Sequence, residues 1–328
     1  MAIPIWKDTI ISYLSLGETQ ECQISVDGNI IYNGRLYKYP GNPNITAFIN
    51  TIASNYLSSK IELDRSKTEY THNNYMRTFA ISPAPLGDAQ VSLYNDWSYE
   101  EGRVYDGTPQ ILSSPLSTIV DPRQLFFVTL SPFGVNCLIH ISGRNGEGRQ
   151  IHGVGDKTDM CKTHVINLRD YPAMADIEVA IDYGEFIKYT QYTVQPTCAK
   201  YCLYYLNAYG GYDHLLVKGN SMRTDSFSRT EVAHDVRNTA LQHGREIVRE
   251  QIQRTWKLHT DCLTDDQWAK THHLLGSPLV YLHDLETDEI TPVVIKNNVA
   301  EFRTYRNQRN KMSNLTIEVE AASKRMRK

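Results

Sequence analysis

The chain is a succession of short apolar runs cut apart by Gly, Pro, Asn and Asp, and this rhythm limits its fold more than any other feature. Residues 18–26, "ETQECQISV", and 30–39, "IIYNGRLYKY", alternate in the period-2 manner of half-buried strands. The intervening "DGN" carries the Asp-Gly pair that favours a tight hairpin. "YMRTFAIS" and "AQVSLYNDW" predict two further strands. Between these pairs, "ITAFINTIASNYL" spaces Ile45, Phe48, Ile49, Ile52, Tyr56 and Leu57 as one amphipathic helix would.

The segment "SYEEGRVYDGTPQILSSPLS" is rich in turn formers and sets a boundary near residue 115. From there to about 195, "QLFFVTLSP", "NCLIHISG", "THVINLRDY", "ADIEVAID" and "FIKYTQYTVQ" give five or more strands without a helix, the pattern of a small β-sandwich. In the last third, "KYCLYYLNAY" and "DHLLVKG" flank Gly210-Gly211 as a hairpin, and "REIVREQIQRTWKLHT" weakly favours one long strand. "LTDDQWAKTHHLLGSP" is a helix with Thr264 as N-cap, Asp265 and Asp266 in its first turn, and Gly276 and Pro278 at its stop. "LVYLHD", "ITPVVIKN" and "LTIEVEAA" complete a sheet, and "KRMRK" is expected to be a short, loose basic tail. The expected class is therefore mainly β and multi-domain: an N-terminal β domain with one helix over 1–115, a β-sandwich over 116–195, and a C-terminal β domain over 196–328.

Composition narrows the function classes. With 328 residues, two or three cores are expected. A formal net charge of -3 supplies no global field that would draw the chain to nucleic acid. No apolar run approaches the about 20 residues of a membrane-spanning helix, and "MAIPIWKDTI" lacks the sustained apolar stretch of a secretory signal. Six cysteines, at 22, 137, 161, 198, 202 and 262, form no CxxC pair and are expected as small buried hydrophobes. Tyrosine is in excess, 21 against 8 Phe, which suits half-buried strands and protein interfaces.

Motifs for chemistry are weak. "SGRNGEGRQIHGVGDK" has no closing Gly-Lys-Ser/Thr and no strand-to-helix context, so a hairpin loop is expected in place of a phosphate cradle. His259, Asp261, Cys262, His272 and His273 include metal-ligating types, yet lack the paired spacing of a zinc site. There is no GxSxG elbow, and Glu100-Glu101 and Asp265-Asp266 are adjacent acids of a loop and a helix start. The expectation is a protein that is not an enzyme and has no cofactor, metal or small-molecule substrate.

In its C-terminal third, "YLNAYGGYDHLLVKG", "WKLHT", "LTDDQW", "LLGSPLVYL", "ITPVVI" and "NLTIEVEAA" follow one another in an order that resembles a family of virion structural proteins from tailed phages and prophages of Bacteroidetes hosts. "IIYNGRLYKYPG" and "INTIASNYL" extend the resemblance into the front half. It implies a C-terminal tail-tube or tail-hub-like β-barrel carrying one helix, and a virion protein made in the bacterial host cytoplasm. It also implies a homo-oligomeric ring, three- or six-fold, docked to other tail proteins. The sequence departs from a simple tube protein in having two β domains in front. The candidate interface residues are Tyr204, Tyr205, Tyr209 and Tyr212 around Gly210-Gly211, together with Arg303, Arg306, Arg309 and Lys311 of the basic run "RTYRNQRNK". Two bland readings stay open beside these: the rings could pack their own domain, and the basic run could be a solvated loop. A carbohydrate- or host-surface-binding β module is the alternative function.

Overall fold

The computed structural model describes residues 3–7, 9–14, 17–57, 63–64, 66–72, 75–98, 111–131, 136–143, 148–154, 161–170, 174–182, 187–233, 245–297, 313–323 and 325–327. It is mainly β, and the chain divides into two units that interleave along the sequence. The first comprises Met1–Ser114, Leu125–Val194 and Asn207–Asp213; the second comprises Pro115–Gln124, Gln195–Leu206 and His214–Lys328.

The first unit opens with β1 (Ile3–Pro4), β2 (Ile10–Leu14), β3 (Thr19–Val26), β4 (Asn29–Tyr37), β5 (Asn44–Phe48), the one-turn helix α1 (Asn50–Ala53), β6 (Glu69–His72), β7 (Met76–Ser82) and β8 (Gln90–Tyr94). Five of these form a sheet in the order β1-β8-β7-β3-β4. Asp27 and Gly28 turn the β3–β4 hairpin at φ 50° and 80°, the left-handed pair that "DG" predicts. Ile24, Ile45, Ile49, Phe79 and Leu93 meet in its core.

The helix expected over 45–57 is largely a strand. Asn44–Leu14 through Phe48–Ile10 pair as β5 with β2, and only Asn50–Ala53 is helical. Ile45 and Thr46 are β-branched and suit a pleated surface, so an available partner strand outweighs the helical spacing. Asn50 holds the crossover: its amide nitrogen donates to Ile5 O and Lys7 O, and its Oδ1 accepts from Thr9 N at 2.7 Å.

A two-residue strand of the second unit, β9 (Ile119–Val120), precedes β10 (Leu125–Leu130), β11 (Asn136–Gly143), β12 (Gly148–Val154), β13 (Cys161–Asn167), β14 (Met174–Asp182) and β15 (Ile187–Val194), which belong to the first. Two arrays result, β10-β13-β6 and β12-β11-β14-β15. The glycine-rich segment expected as a loop supplies β12, whose backbone pairs with β11 from Asn136–Val154 to Ser142–Gly148. Glycine weakens a strand but does not prevent a backbone ladder with its neighbour.

The second unit continues with β16 (Tyr201–Leu206), β17 (Tyr212–Val217), β18 (Ser221–Ala233), β19 (Arg245–Leu263), α2 (Asp265–Leu275), β20 (Val280–Asp284), β21 (Glu289–Ile295), β22 (Ser313–Ala321) and β23 (Arg325–Arg327). Its sheet runs β17-β16-β20-β21-β22-β19-β18, with β23 also on β19. The tail expected to be loose is thus in part a strand, Arg325–Arg327 pairing with Glu250–Ile252 of a long neighbour that leaves backbone groups to satisfy. Thr264 is the N-cap of α2 as expected and forms a capping box with Gln267, whose amide nitrogen also reaches Leu116 O at 2.7 Å. Of the cysteines, Cys22, Cys161 and Cys202 are buried as expected and Cys198 and Cys262 are exposed, while the Cys137 side chain lies outside the described residues.

Trp268 and Leu274 of α2 join Tyr205, Trp256, Leu258, Ile317 and Val319 in the core of this unit. Trp268→Ala is expected to cost about 3–5 kcal/mol, the usual range for truncating a buried aromatic. A denaturant titration checks it; an effect below about 0.5 kcal/mol would place the ring on an exposed face.

Candidate functional site

Asn207–Asp213, the "NAYGGYD" loop, is folded around one amide. Asn207 Oδ1 accepts from Tyr209 N at 3.0 Å and Gly211 N at 2.8 Å, so the side chain closes the turn on its own backbone. Its Nδ2 donates to Leu112 O at 2.7 Å and to Asp213 Oδ2 at 2.8 Å. The other Asp213 oxygen accepts from Ser114 N at 2.7 Å. Gly210 sits at φ 86°, in the left-handed region that favours glycine. Gly211 is required by space: a Cβ there would lie 2.9 Å from the Leu112 backbone.

A second row of hydrogen bonds runs from this loop into the β10-β13-β6 array. Tyr212 N donates to Thr129 Oγ1, Thr129 Oγ1 meets Thr163 Oγ1 at 2.9 Å, and Thr163 Oγ1 meets His72 Nε2 at 2.7 Å. Ser113 Oγ donates to Tyr212 O and accepts from Thr129 N. His72, Thr129, Thr163, Asn207 and Asp213 are all buried. Burial holds the His72 imidazole down to about pKa 4, since a cation there would lose water without gaining a partner for Nδ1. His164 is shifted down by its burial and by Lys162, against the opposing pull of Glu69.

The four candidate tyrosines are separated by this geometry. Tyr204, Tyr205 and Tyr212 are fully buried within the chain, so their rings are unavailable to a second subunit. Tyr204 Oη lies 2.7 Å from His283 Nδ1, and His283 Nε2 lies 2.9 Å from Asp288 Oδ1. Tyr205 fills the second unit's core, and Tyr212 packs on Phe127 with ring centroids 5.5 Å apart. Tyr209 is half-buried against Tyr75, Tyr94, Leu112 and Cys161. Arg303, Arg306, Arg309 and Lys311 lie outside the described residues.

The candidate metal ligands are dispersed among other partners. His259 Nδ1 meets Thr316 Oγ1 at 3.0 Å, and Asp261 accepts from Cys262 N. The His272 and His273 rings lie 4.2 Å apart on α2. Among the described residues, no three of His, Cys, Asp and Glu form a group that could hold a metal ion.

The accessible feature of the second unit is one that sequence periodicity misses. β18 pairs along β19 from Ser221–Leu258 to Ala233–Arg245, with a bulge that places Thr230 against Arg249 and Glu231 against Ile247. Phe227, Val232, Ile247 and Val248 of this ribbon are exposed. Arg229 donates to Glu250 at 2.9 Å and Arg223 to Asp225 at 3.1 Å. "SMRTDSFSRTEVA" is polar on both faces, and the alternation test recognises only strands with one face buried. Its one legible signal is the lone Phe227 amid Ser and Thr.

Two measurements probe the network. Asn207→Ala removes four hydrogen bonds and strands buried groups, so a loss of about 3 kcal/mol or more in a urea titration is expected; a loss within about 0.5 kcal/mol would mean the loop closes without that amide. For His72, the unfolded imidazole titrates near 6.5 and the folded one near 4, so the unfolded chain binds more protons between those values. The resulting stability is present above pH 6.5 and lost as pH falls towards 4, by roughly 2 kcal/mol between pH 7 and 5. His72→Gln should therefore flatten the acid side of the stability profile, and an unchanged slope would contradict a buried neutral imidazole.

No protein-family profile matches the chain, and no curated protein matches it. Its function rests on its own residues and geometry.

Proposed function

We propose that the chain is a non-enzymatic structural subunit of a phage-like virion, a tail or tail-hub component that joins copies of itself and neighbouring tail proteins. The β18–β19 ribbon carries this reading: it exposes Phe227, Val232, Ile247 and Val248 on paired strands, a surface suited to another protein. The resemblance in sequence supports it from a separate direction. In this reading the second unit's sheet and α2 are the counterpart of the tail-tube and hub barrel with its one helix, and the strands over 116–195 are the sandwich. Copies meet head to tail and close into a ring, three- or six-fold.

The exposed rings of Tyr37 and Tyr39 favour the alternative, a carbohydrate- or host-surface-binding module, because flat aromatic faces can stack on sugars. Native mass spectrometry and negative-stain imaging of the purified chain, alone and with co-expressed tail proteins, separate the two. Closed rings or co-assembly are expected; a monomer that binds a glycan array and joins no particle would replace the structural reading. Reversing Arg303, Arg306 and Arg309 to Glu is expected to leave the circular-dichroism melt unchanged while lowering incorporation into particles, because a partner surface complementary to cations would then meet like charge. Normal particle yield from the folded triple variant would remove the basic run from the assembly surface.

A further inference from the structure

β18 is the last strand of the second unit's sheet in the pairing order, and among the described residues it pairs there with β19 alone. It is 13 residues long, and most of its side chains are exposed. A long edge with exposed apolar residues is a template for another strand, and soluble chains usually blunt it with prolines or inward charges. β18 has no proline or lysine, and its four charged residues, Arg223, Asp225, Arg229 and Glu231, alternate in sign so that a second copy can match them.

Its sequence is complementary to itself. Set antiparallel to a second copy with Phe227 on the two-fold axis, Arg223 faces Glu231 and Asp225 faces Arg229. The two Phe227 rings face each other on that same side of the sheet. On the opposite side, Met222 faces Val232, Thr224 faces Thr230 and Ser226 faces Ser228. Every charged residue meets the opposite sign, every Thr or Ser in the middle meets its like, and the apolar residues meet each other. We propose that two copies of this chain pair edge to edge through β18, in this register, to make one continuous sheet across a two-fold axis.

Charge selects the register. A two-fold axis perpendicular to the sheet opposes only residues of the same face, so the neighbouring registers differ by one such step. One of them sets Asp225 against Glu231 and the other sets Arg223 against Arg229, and either places like charges in direct opposition. Within the chain Arg223 donates to Asp225 at 3.1 Å, and docking exchanges that pair for Arg223–Glu231 and Asp225–Arg229 across the axis. Arg229 commits Nε to Glu250, and its planar fork retains further donors for the partner's Asp225.

The contact is isologous, so it closes on two copies and differs in kind from the head-to-tail contacts of a ring. It uses the same ribbon as the virion reading but does not depend on that reading, since it requires only a second copy of the chain.

The test uses the full chain with the two cysteines that are exposed among the described residues removed, Cys198→Ser and Cys262→Ser. Opposed residues of an antiparallel pair have Cα atoms about 4.5–5.5 Å apart, within disulfide reach. Phe227→Cys is therefore expected to give a covalent dimer on mild oxidation. Thr224→Cys and Thr230→Cys should each give none alone, because like positions lie about 20 Å apart in this register, but should cross-link to each other when mixed. In analytical ultracentrifugation, Phe227→Glu is expected to abolish the two-fold contact with an unchanged circular-dichroism melt. Equal cross-linking of Thr224→Cys and Phe227→Cys would overturn the proposal, as would a wild-type chain that stays monomeric or a Phe227→Glu variant that keeps the same dimer. Loss of the two-fold dimer in Phe227→Glu with a ring retained would support this contact and leave the assembly reading standing.

Discussion

The Asn207 amide is the interaction on which the first unit's polar interior depends. One side chain satisfies two backbone donors of its own loop, one carbonyl from the 112–114 segment and one carboxylate oxygen of Asp213. A single buried hydrogen bond contributes only about 1 kcal/mol net, but leaving such a group unpaired costs about 1–3 kcal/mol. The loop is therefore held more by the cost of opening it than by the gain of closing it. Tyr212 N and Ser113 Oγ then fix Thr129, which leads through Thr163 to His72. Residues from five distant stretches of sequence are committed to one arrangement.

This loop belongs to the first unit although the chain on both sides of it belongs to the second. The exchange at Ser114–Pro115 and Gln124–Leu125 is of the same kind. Within the second unit, Asp121 and Arg123 anchor one such passage. Burial alone would raise the Asp121 carboxyl, but hydrogen bonds from Arg123 and Thr197 outweigh it and hold the group below the usual carboxylate range. Arg123 also donates to Thr197 O and Ala199 O, so the approach to β16 is tied to the approach to β10 by one fork. The tyrosine excess is spent in the same way. Tyr75, Tyr94, Tyr204, Tyr205 and Tyr212 are among the largest fully buried side chains, where each ring fills volume, and the Tyr204 hydroxyl also meets His283 Nδ1.

Legibility followed from burial on one face. β3, β4, β7, β10 and β19 were readable because their apolar residues recur at period 2 or form an unbroken run. The α2 cap was readable because Thr264 stands directly before Asp265 and Asp266, whereas its Gln267 partner came from the structure. Asn44–Phe48 was misread as helix because Ile45, Ile49 and Leu57 fit both periods, and only the partner strand β2 decides between them. β12, β18 and β23 were missed for a common reason: their side chains carry little apolar signal, and the strand state comes from the backbone ladder of a neighbour. The candidate site divided in the same way. "NAYGGYD" was recognisable as a tight aromatic turn, but not the inward direction of its rings, nor the contribution of Leu112, Thr129 and His72.

From the sequence alone came the β class, the turns at Asp27-Gly28 and Gly210-Gly211, and the single capped helix. Each of these is set by residues within a few positions of one another, through φ preference, alternation or a local hydrogen bond. The tertiary structure alone decided that three of the four candidate tyrosines are interior. It also decided that the loop at 207–213 is closed by a remote carbonyl and hydroxyl, and that β18 is exposed along most of its length. Those outcomes depend on which distant segment supplies the other half of a contact. A hydrogen bond or a covered ring needs two partners, and local sequence specifies only one of them.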